Sequence, residues 1–168
     1  MTISLYQVSV PVFSTTLKNL GHVLAKGEAF AAANGLAPEE LTATRLAPDM
    51  LPLTSQVQIA TDHAKGASAR LAGREILKIE DTEKSFADLQ ARIATVLEHL
   101  NSYRAEEIDG AEERPVAIRA GKMELSFTAQ QYLLHYAMPN FYFHVVTAYD
   151  ILRHKGVPIG KGDFFGRG

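Results

Sequence analysis

The sequence predicts an all-α fold, a four-helix bundle with a small β-hairpin before the last helix. Four stretches place apolar residues at three- and four-residue steps, and one short stretch switches to alternation. No repeat, low-complexity segment or linker divides the 168 residues. At this length about two-thirds of the unfolded chain's surface can be buried, so a single domain over residues 1–168 is expected.

The first helix is expected over residues 4–34. Val10, Phe13, Leu17, Leu20 and Leu24 share one face, and Asn34 with Gly35 supplies a left-handed stop. Pro11 has no amide to donate, so it belongs in the first turn or marks a bend. Residues 36–52 contain three prolines and read as a connection with one helical turn near residues 38–41. The second helix, over 53–72, is opened by the hydroxyl of Thr54 or Ser55 and closed by Gly73. Its face of Ala60, Ala64 and Ala67 either admits a neighbouring helix at close range or leaves room for something else.

The third helix, over 82–104 after Asp81, has the cleanest period, through Phe86, Leu89, Ile93, Val96, Leu97 and Leu100. Val116 and Ile118, the turn RAGK, then Met123, Leu125 and Phe127 form the hairpin at 115–127. Thr128 and Gln131 make a capping box, with Phe127 and Tyr132 as its hydrophobic staple, and this starts the fourth helix at 128. That helix runs to 155, where Gly156 and Pro158 follow.

Composition excludes several classes of function. Lys and Arg number 17 against 19 Asp and Glu, and like charges form no long run, so nucleic acid is not an expected partner. Zero cysteines remove disulfides, thiolate nucleophiles and Cys-ligated metal. The segment MTISLYQVSVPVF has no basic region ahead of an apolar core, and no apolar run approaches the ~18 residues of a membrane span. A soluble, cytoplasmic protein with no membrane partner is expected.

One stretch stands apart. MPNFYFH, residues 138–144, sets a proline inside the fourth helix, where it withholds the amide that the His135 carbonyl would take. The expected result is a bend, offset by packing of Phe141, Tyr142 and Phe143 or by use of the freed carbonyl. Asn140 and His144 are four apart and fall on one face, beside the stripe of Ala137, Phe141, Val145, Ala148 and Leu152. They are expected to face the interior near the second helix, with Asp62, Phe141 and Tyr142 lining a pocket. Two readings stand: a buried polar anchor, in which the pair satisfy one another or the open carbonyl, or half of a metal or catalytic site completed by His63 or His22. His99 and His154 read as surface residues, and His135 fits the bend or a solvent edge equally well.

No HExxH, HxxxH, EF-hand, GxSxG or GxGxxG pattern is present. The tail IGKGDFFGRG lacks the phosphate-loop pattern and reads as a flexible end whose Phe164 and Phe165 dock on the bundle or on a neighbouring subunit. No catalytic residue is singled out.

The blocks LAPDMLPLTSQVQIATDHAKGASARLAG and FTAQQYLLHYAMPNFYFHVVTAYDILRHKGVPIGKGDFFG resemble the bacterial family catalogued as domain of unknown function nineteen-ninety-three. That family is similar to the DinB/YfiT-like metalloenzyme superfamily. The resemblance implies a divalent metal, nickel or zinc, held by one histidine of the second helix and an HxxxH pair on the fourth. His144 aligns with the second histidine of the pair, and Asn140 stands in place of the first; an amide is a poorer ligand than imidazole. On the second helix Thr61, Asp62 and His63 all come near the matching position, and His63 is the chemically sensible ligand. The resemblance also implies a homodimer. Three functions therefore enter: a non-catalytic small-molecule-binding or stress-response bundle with a buried Asn140–His144 site, a metal-dependent enzyme with His63 and His144 as ligands, and a dimeric structural module.

Overall fold

The computed structural model of the chain describes residues 4–167; residues 1–3 and 168 of the predicted domain lie outside the described residues. In chain order the elements are α1 (Val10–Ala33), α2 (Pro38–Thr42), α3 (Leu53–Ala72), α4 (Phe86–Asn101), α5 (Ala105–Ile108), β1 (Pro115–Ala120) and β2 (Met123–Thr128). A final rod follows, made of α6 (Ala129–Tyr132), a π-helical turn (Leu133–Ala137) and α7 (Met138–His154), and then a short α8 (Lys161–Phe164). The predicted bundle and hairpin are present. α3 lies between α7 and α4, and α1 packs on α4. β1 and β2 pair antiparallel, Pro115 opposite Thr128 and Ala120 opposite Met123.

The helix starts differ from expectation. α1 begins at Val10 instead of residue 4, because Ser9 folds its hydroxyl back on the Leu5 carbonyl (2.6 Å) and Pro11 occupies the first helical turn. Its end is as predicted: Gly35 adopts φ +65°, and the Leu36 amide reaches the Ala31 carbonyl at 3.0 Å. Thr54 does not cap α3. Its hydroxyl donates to the Thr42 carbonyl (3.1 Å) and ties α3 to the end of α2. α4 begins at Phe86 instead of residue 82, since the capping box is built by Ser85 and Asp88: the Ser85 Oγ accepts from the Asp88 amide at 3.1 Å, and Asp88 accepts from the Ser85 amide at 2.9 Å. It stops at Asn101, leaving Tyr103 buried just beyond.

Ala60, Ala64 and Ala67 are fully buried, and α7 is the most extensively packed neighbour of α3, so the small face admits a helix. In the core Phe13 meets Phe141 edge-on, with centroids 4.9 Å apart. Gly27 of α1 sits where a Cβ would come within 3.0 Å of Leu152 and 3.3 Å of Phe86, so three helices converge on a position with no side chain. The tail, expected as a flexible end, is ordered as α8. Asp163 takes Lys26 and the Gly160 amide, Asn19 donates to the Phe164 carbonyl (3.1 Å), and Phe164 packs on Tyr149 while Phe165 stays exposed. No helix among the described residues is long and apolar enough to cross a membrane.

Arg92, on α4, joins three parts of the chain. Its side chain is 1% exposed and donates to Thr61 Oγ1 (2.7 Å) and Asp62 (2.8 Å) on α3, and to Asp81 (2.8 Å) and Glu83 (3.0 Å) in the connection between α3 and α4. Glu83 is correspondingly held below its ordinary carboxylate range: burial opposes this, but hydrogen bonds from Gln58 and Arg92 overcome it. Removing a buried cation leaves its partners uncompensated. Arg92→Leu is expected to cost about 2 to 4 kcal/mol in urea unfolding, toward the lower end of the buried-pair range because Asp62 and Asp81 reach solvent. A loss under about 0.5 kcal/mol, the size typical of surface substitutions, would show that the cluster does not hold α4 to α3.

Candidate functional site

The last helix accommodates Pro139 by widening. Its Met138 amide bonds to the Leu133 carbonyl, five residues back, so one extra residue enters the turn before the proline. The bend expected at the His135 carbonyl is replaced by a π-helical turn over Leu133–Ala137. Asn140 then donates Nδ2 to the Tyr136 carbonyl at 2.7 Å, satisfying backbone at the same junction. Tyr132 and Tyr136 come into a near-parallel stack (centroids 5.9 Å, planes 22° apart), with Phe127 of the hairpin against both. The predicted capping box and staple are in place: Thr128 Oγ1 accepts from the Gln131 amide at 3.3 Å, and Phe127 lies 6.2 Å from Tyr132.

His144 faces α3. Its Nδ1 lies 2.7 Å from Gln56 Oε1, while Gln56 donates its own Nε2 to the Leu51 carbonyl at 3.0 Å. With the amide nitrogen engaged there, the oxygen is what faces the ring, so His144 carries its proton on Nδ1 and keeps the Nε2 lone pair. His63 stacks beside it, with centroids 6.1 Å apart and planes 16° from parallel, and Tyr136 closes on His63 at 6.0 Å. Burial lowers the pKa of both rings. For His63 the value falls to about 4, through burial first and then the neighbouring His144, with Asp62 pulling upward and Arg70 downward. Both imidazoles are neutral at pH 7.

His63 opens onto a cleft of ≈ 170 Å³ between α3, the hairpin and the last helix, lined by Asp62, His63, Arg70, Ile118, Arg119, Tyr132 and Tyr136. Arg70 curls back so that Nη1 donates to the Gly66 carbonyl (3.0 Å) and the Tyr132 hydroxyl (3.3 Å). Asp62 is engaged by Lys65 (3.0 Å) as well as Arg92. A roomier hollow of ≈ 460 Å³ lies along the tail at Lys161, Gly162, Phe165 and Arg167, but it is distant in chemistry as well as in lining from the histidine pair.

The other expected site residues are distributed by helical geometry, in which successive residues diverge by about 100°. Thr61 turns to Arg92, Asp62 to the ion cluster at the cleft edge, and His63 to His144. Phe141 lies in the core against Phe13 and does not line the cleft; Tyr142 borders a separate groove with Pro11, Thr15, Asn19 and Phe164. Asn140 is spent on the Tyr136 carbonyl, with no hydrogen bond to His144 among the described residues. His22, His135 and His154 are exposed, and His99 is half-buried against the Tyr103 hydroxyl (2.9 Å). For a three-ligand metal centre the donors fit poorly: His63 and His144 adjoin, but the third position offers only the Asn140 amide oxygen, a weaker ligand than imidazole, and among the described residues no three His, Cys, Asp or Glu gather closely enough to hold an ion.

Sequence reasoning missed Gln56, Arg70, Arg119, Tyr132 and Tyr136 as site residues. A signal existed for the first two: Gln56, His63 and Arg70 follow at seven-residue steps, which sets them on one stripe of α3. The tyrosines had none, because the π-helical turn that orients them breaks the regular period.

The chain's likeness to known proteins agrees with this architecture. Residues 5–165 match the family described as "Domain of unknown function (DUF1993)". A crystal structure of a DinB family member protein from Shewanella denitrificans is 40% identical, superposes with a TM-score of 0.87, and is covered over 92% of its chain by 96% of this one. No curated protein matches the chain. With nearly its whole length matched, the chain belongs to the DUF1993 family and is a DinB-like protein.

Proposed function

We propose that the chain binds a small molecule in the cleft beside His63 without turning it over, and that His144 with Gln56 is the polar anchor behind that site. The observation that carries this is the neutral imidazole pair, in which Gln56 fixes His144 and His63, stacked on it, opens onto a cleft whose one carboxylate, Asp62, is neutralised by Lys65 and Arg92. A ring with a pKa near 4 is a weak general base at pH 7, and no hydroxyl nucleophile of Ser or Thr lines the cleft. Positioned donors on aromatic walls, with no activated group among them, suit binding.

A second reading, a divalent-metal enzyme with His63 and His144 as ligands, has one observation in its favour. Gln56 leaves the Nε2 lone pair of His144 available, as an orienting partner does for a metal-bound histidine. The missing third ligand weighs against it, and no chemical step is derived through a metal here. The homodimer remains part of the proposal, with Phe143 and Val146 of α7 as exposed apolar residues available to a second copy.

The imidazole NMR resonances of His63 and His144 serve to test binding. A fragment set of mixed charge is expected to yield ligands that shift both, with no chemical change in the fragment; an empty screen, or turnover of a bound fragment, would sink the proposal. Zinc or nickel added after chelation is expected to leave the melting temperature unchanged, whereas a stoichiometric rise would favour the metal reading.

The anchor has its own signature. His144→Ala strands the buried Gln56 oxygen and is expected to cost about 1 to 3 kcal/mol, and Gln56→Ala is expected to cost less in that background than in wild type, because the shared bond is already gone and only the Leu51 contact remains to lose. Full additivity in urea unfolding would mean that the bond contributes nothing.

The pH dependence follows from His63. Its pKa is lower in the folded chain, so the unfolded chain takes the proton first; its contribution is complete above about pH 6.5 and is lost as pH falls toward about 4. Replacing His63 with Gln is expected to flatten that part of the stability profile, and a profile identical to wild type would contradict the burial inferred for the ring.

A further inference from the structure

Resting on the small-molecule reading above, we infer that the ligand is a small monocarboxylate with a flat or short apolar body, held through its anionic end by Arg70. Arg70 is half-buried, yet among the described residues it has no carboxylate partner. Lys26, Lys65 and Arg74 each have one, and Arg92 has three. Both groups that Arg70 touches, the Gly66 carbonyl and the Tyr132 hydroxyl, are uncharged, and both are reached through Nη1. Its Nε and Nη2 make no hydrogen bond among the described residues. Those two atoms form the side-on edge of the guanidinium that matches the two oxygens of a carboxylate.

The position of the charge is built into the chain. A Cβ on residue 66 would lie 2.8 Å from Arg70 Nη1, so the guanidinium rests where only glycine leaves space. Tyr132 accepts from Arg70, which leaves its own hydroxyl proton to donate. Arg119, exposed on β1, adds a second positive charge at the rim, and the one acidic group of the lining, Asp62, already faces two cations. An anion is therefore drawn to this cleft. Ile118 and the faces of Tyr132 and Tyr136 supply apolar walls, and ≈ 170 Å³ is close to the ~150 Å³ of a cavity that holds one benzene. A phosphate would leave those walls unused and would have one seated cation for its two charges.

Calorimetric titration of the full chain with acetate, butyrate and benzoate, each against its amide, and with inorganic phosphate, tests the inference at fixed ionic strength. Benzoate is expected to bind most tightly, at least tenfold better than benzamide or phosphate. Arg70→Gln should weaken benzoate about 10- to 100-fold, the range for a charge-assisted hydrogen bond, and erase the preference over benzamide. Gly66→Ala displaces the guanidinium while keeping its charge, so it should weaken benzoate with wild-type cooperative unfolding. The inference is overturned if no carboxylate exceeds its amide, if phosphate binds more tightly than benzoate, or if either variant binds benzoate like wild type. Amides that bind as well as carboxylates would remove the anion and leave the small-molecule reading standing; if the mixed-charge fragment screen is also empty, both fall.

Discussion

A single missing amide, that of Pro139, sets the shape of the last helix and with it the site. In a regular helix the proline would leave a carbonyl unpaired and press its ring on the preceding turn, at roughly 3 kcal/mol. The chain avoids this by shifting one turn to five-residue bonding, from Leu133 to Met138, and by turning the Asn140 side chain onto the Tyr136 carbonyl. The extra residue uncouples the two halves of the rod. Tyr132 and Tyr136 stack toward the hairpin and the cleft, whereas Phe141, Val145, Ala148 and Leu152 keep the core register that a regular helix requires.

α3 complements that rod by dividing its surface among three jobs. The alanine face meets α7, the edge of Thr61, Asp62 and Lys65 belongs to the ion cluster around Arg92, and the stripe of Gln56, His63 and Arg70 faces the last helix and the cleft. Adjacent residues such as Asp62 and His63 thus take unrelated roles. The cluster also pairs Asp62, beside His63, with Lys65 of the same helix and Arg92 of α4, so the charge at the cleft edge is balanced partly from a different helix.

Kinship with a DinB family member transfers the fold and not the chemistry, because the fold is carried by the apolar stripes and the chemistry by a few side chains. Here the two imidazoles adjoin, but the position that would complete a histidine triad is an asparagine employed in repairing the helix backbone. Its amide nitrogen is taken by the Tyr136 carbonyl, and its amide oxygen is a weaker metal donor than the imidazole nitrogen it replaces.

The amino-acid sequence by itself determined the bundle, the hairpin, the capping box at Thr128 and the left-handed stops at Gly35 and Gly73, since each depends on local periodicity or on a residue's own conformational range. It also brought His63 and His144 forward as a pair. Tertiary structure decided what those residues do. Thr54 and Asp81 look like helix starters but bond instead to α2 and Arg92, because a distant partner outcompeted the local amides. Gln56 shares a stripe with His63, but its role appears only when α7 brings His144 to it. The tyrosine stack follows from a change of helical period that no pattern of apolar residues encodes, and the seat of Arg70 depends on a hydroxyl sixty-two residues away. Helical phase is a local property, whereas the pairing of buried polar groups is settled only when separate helices meet and each group must find a partner out of water.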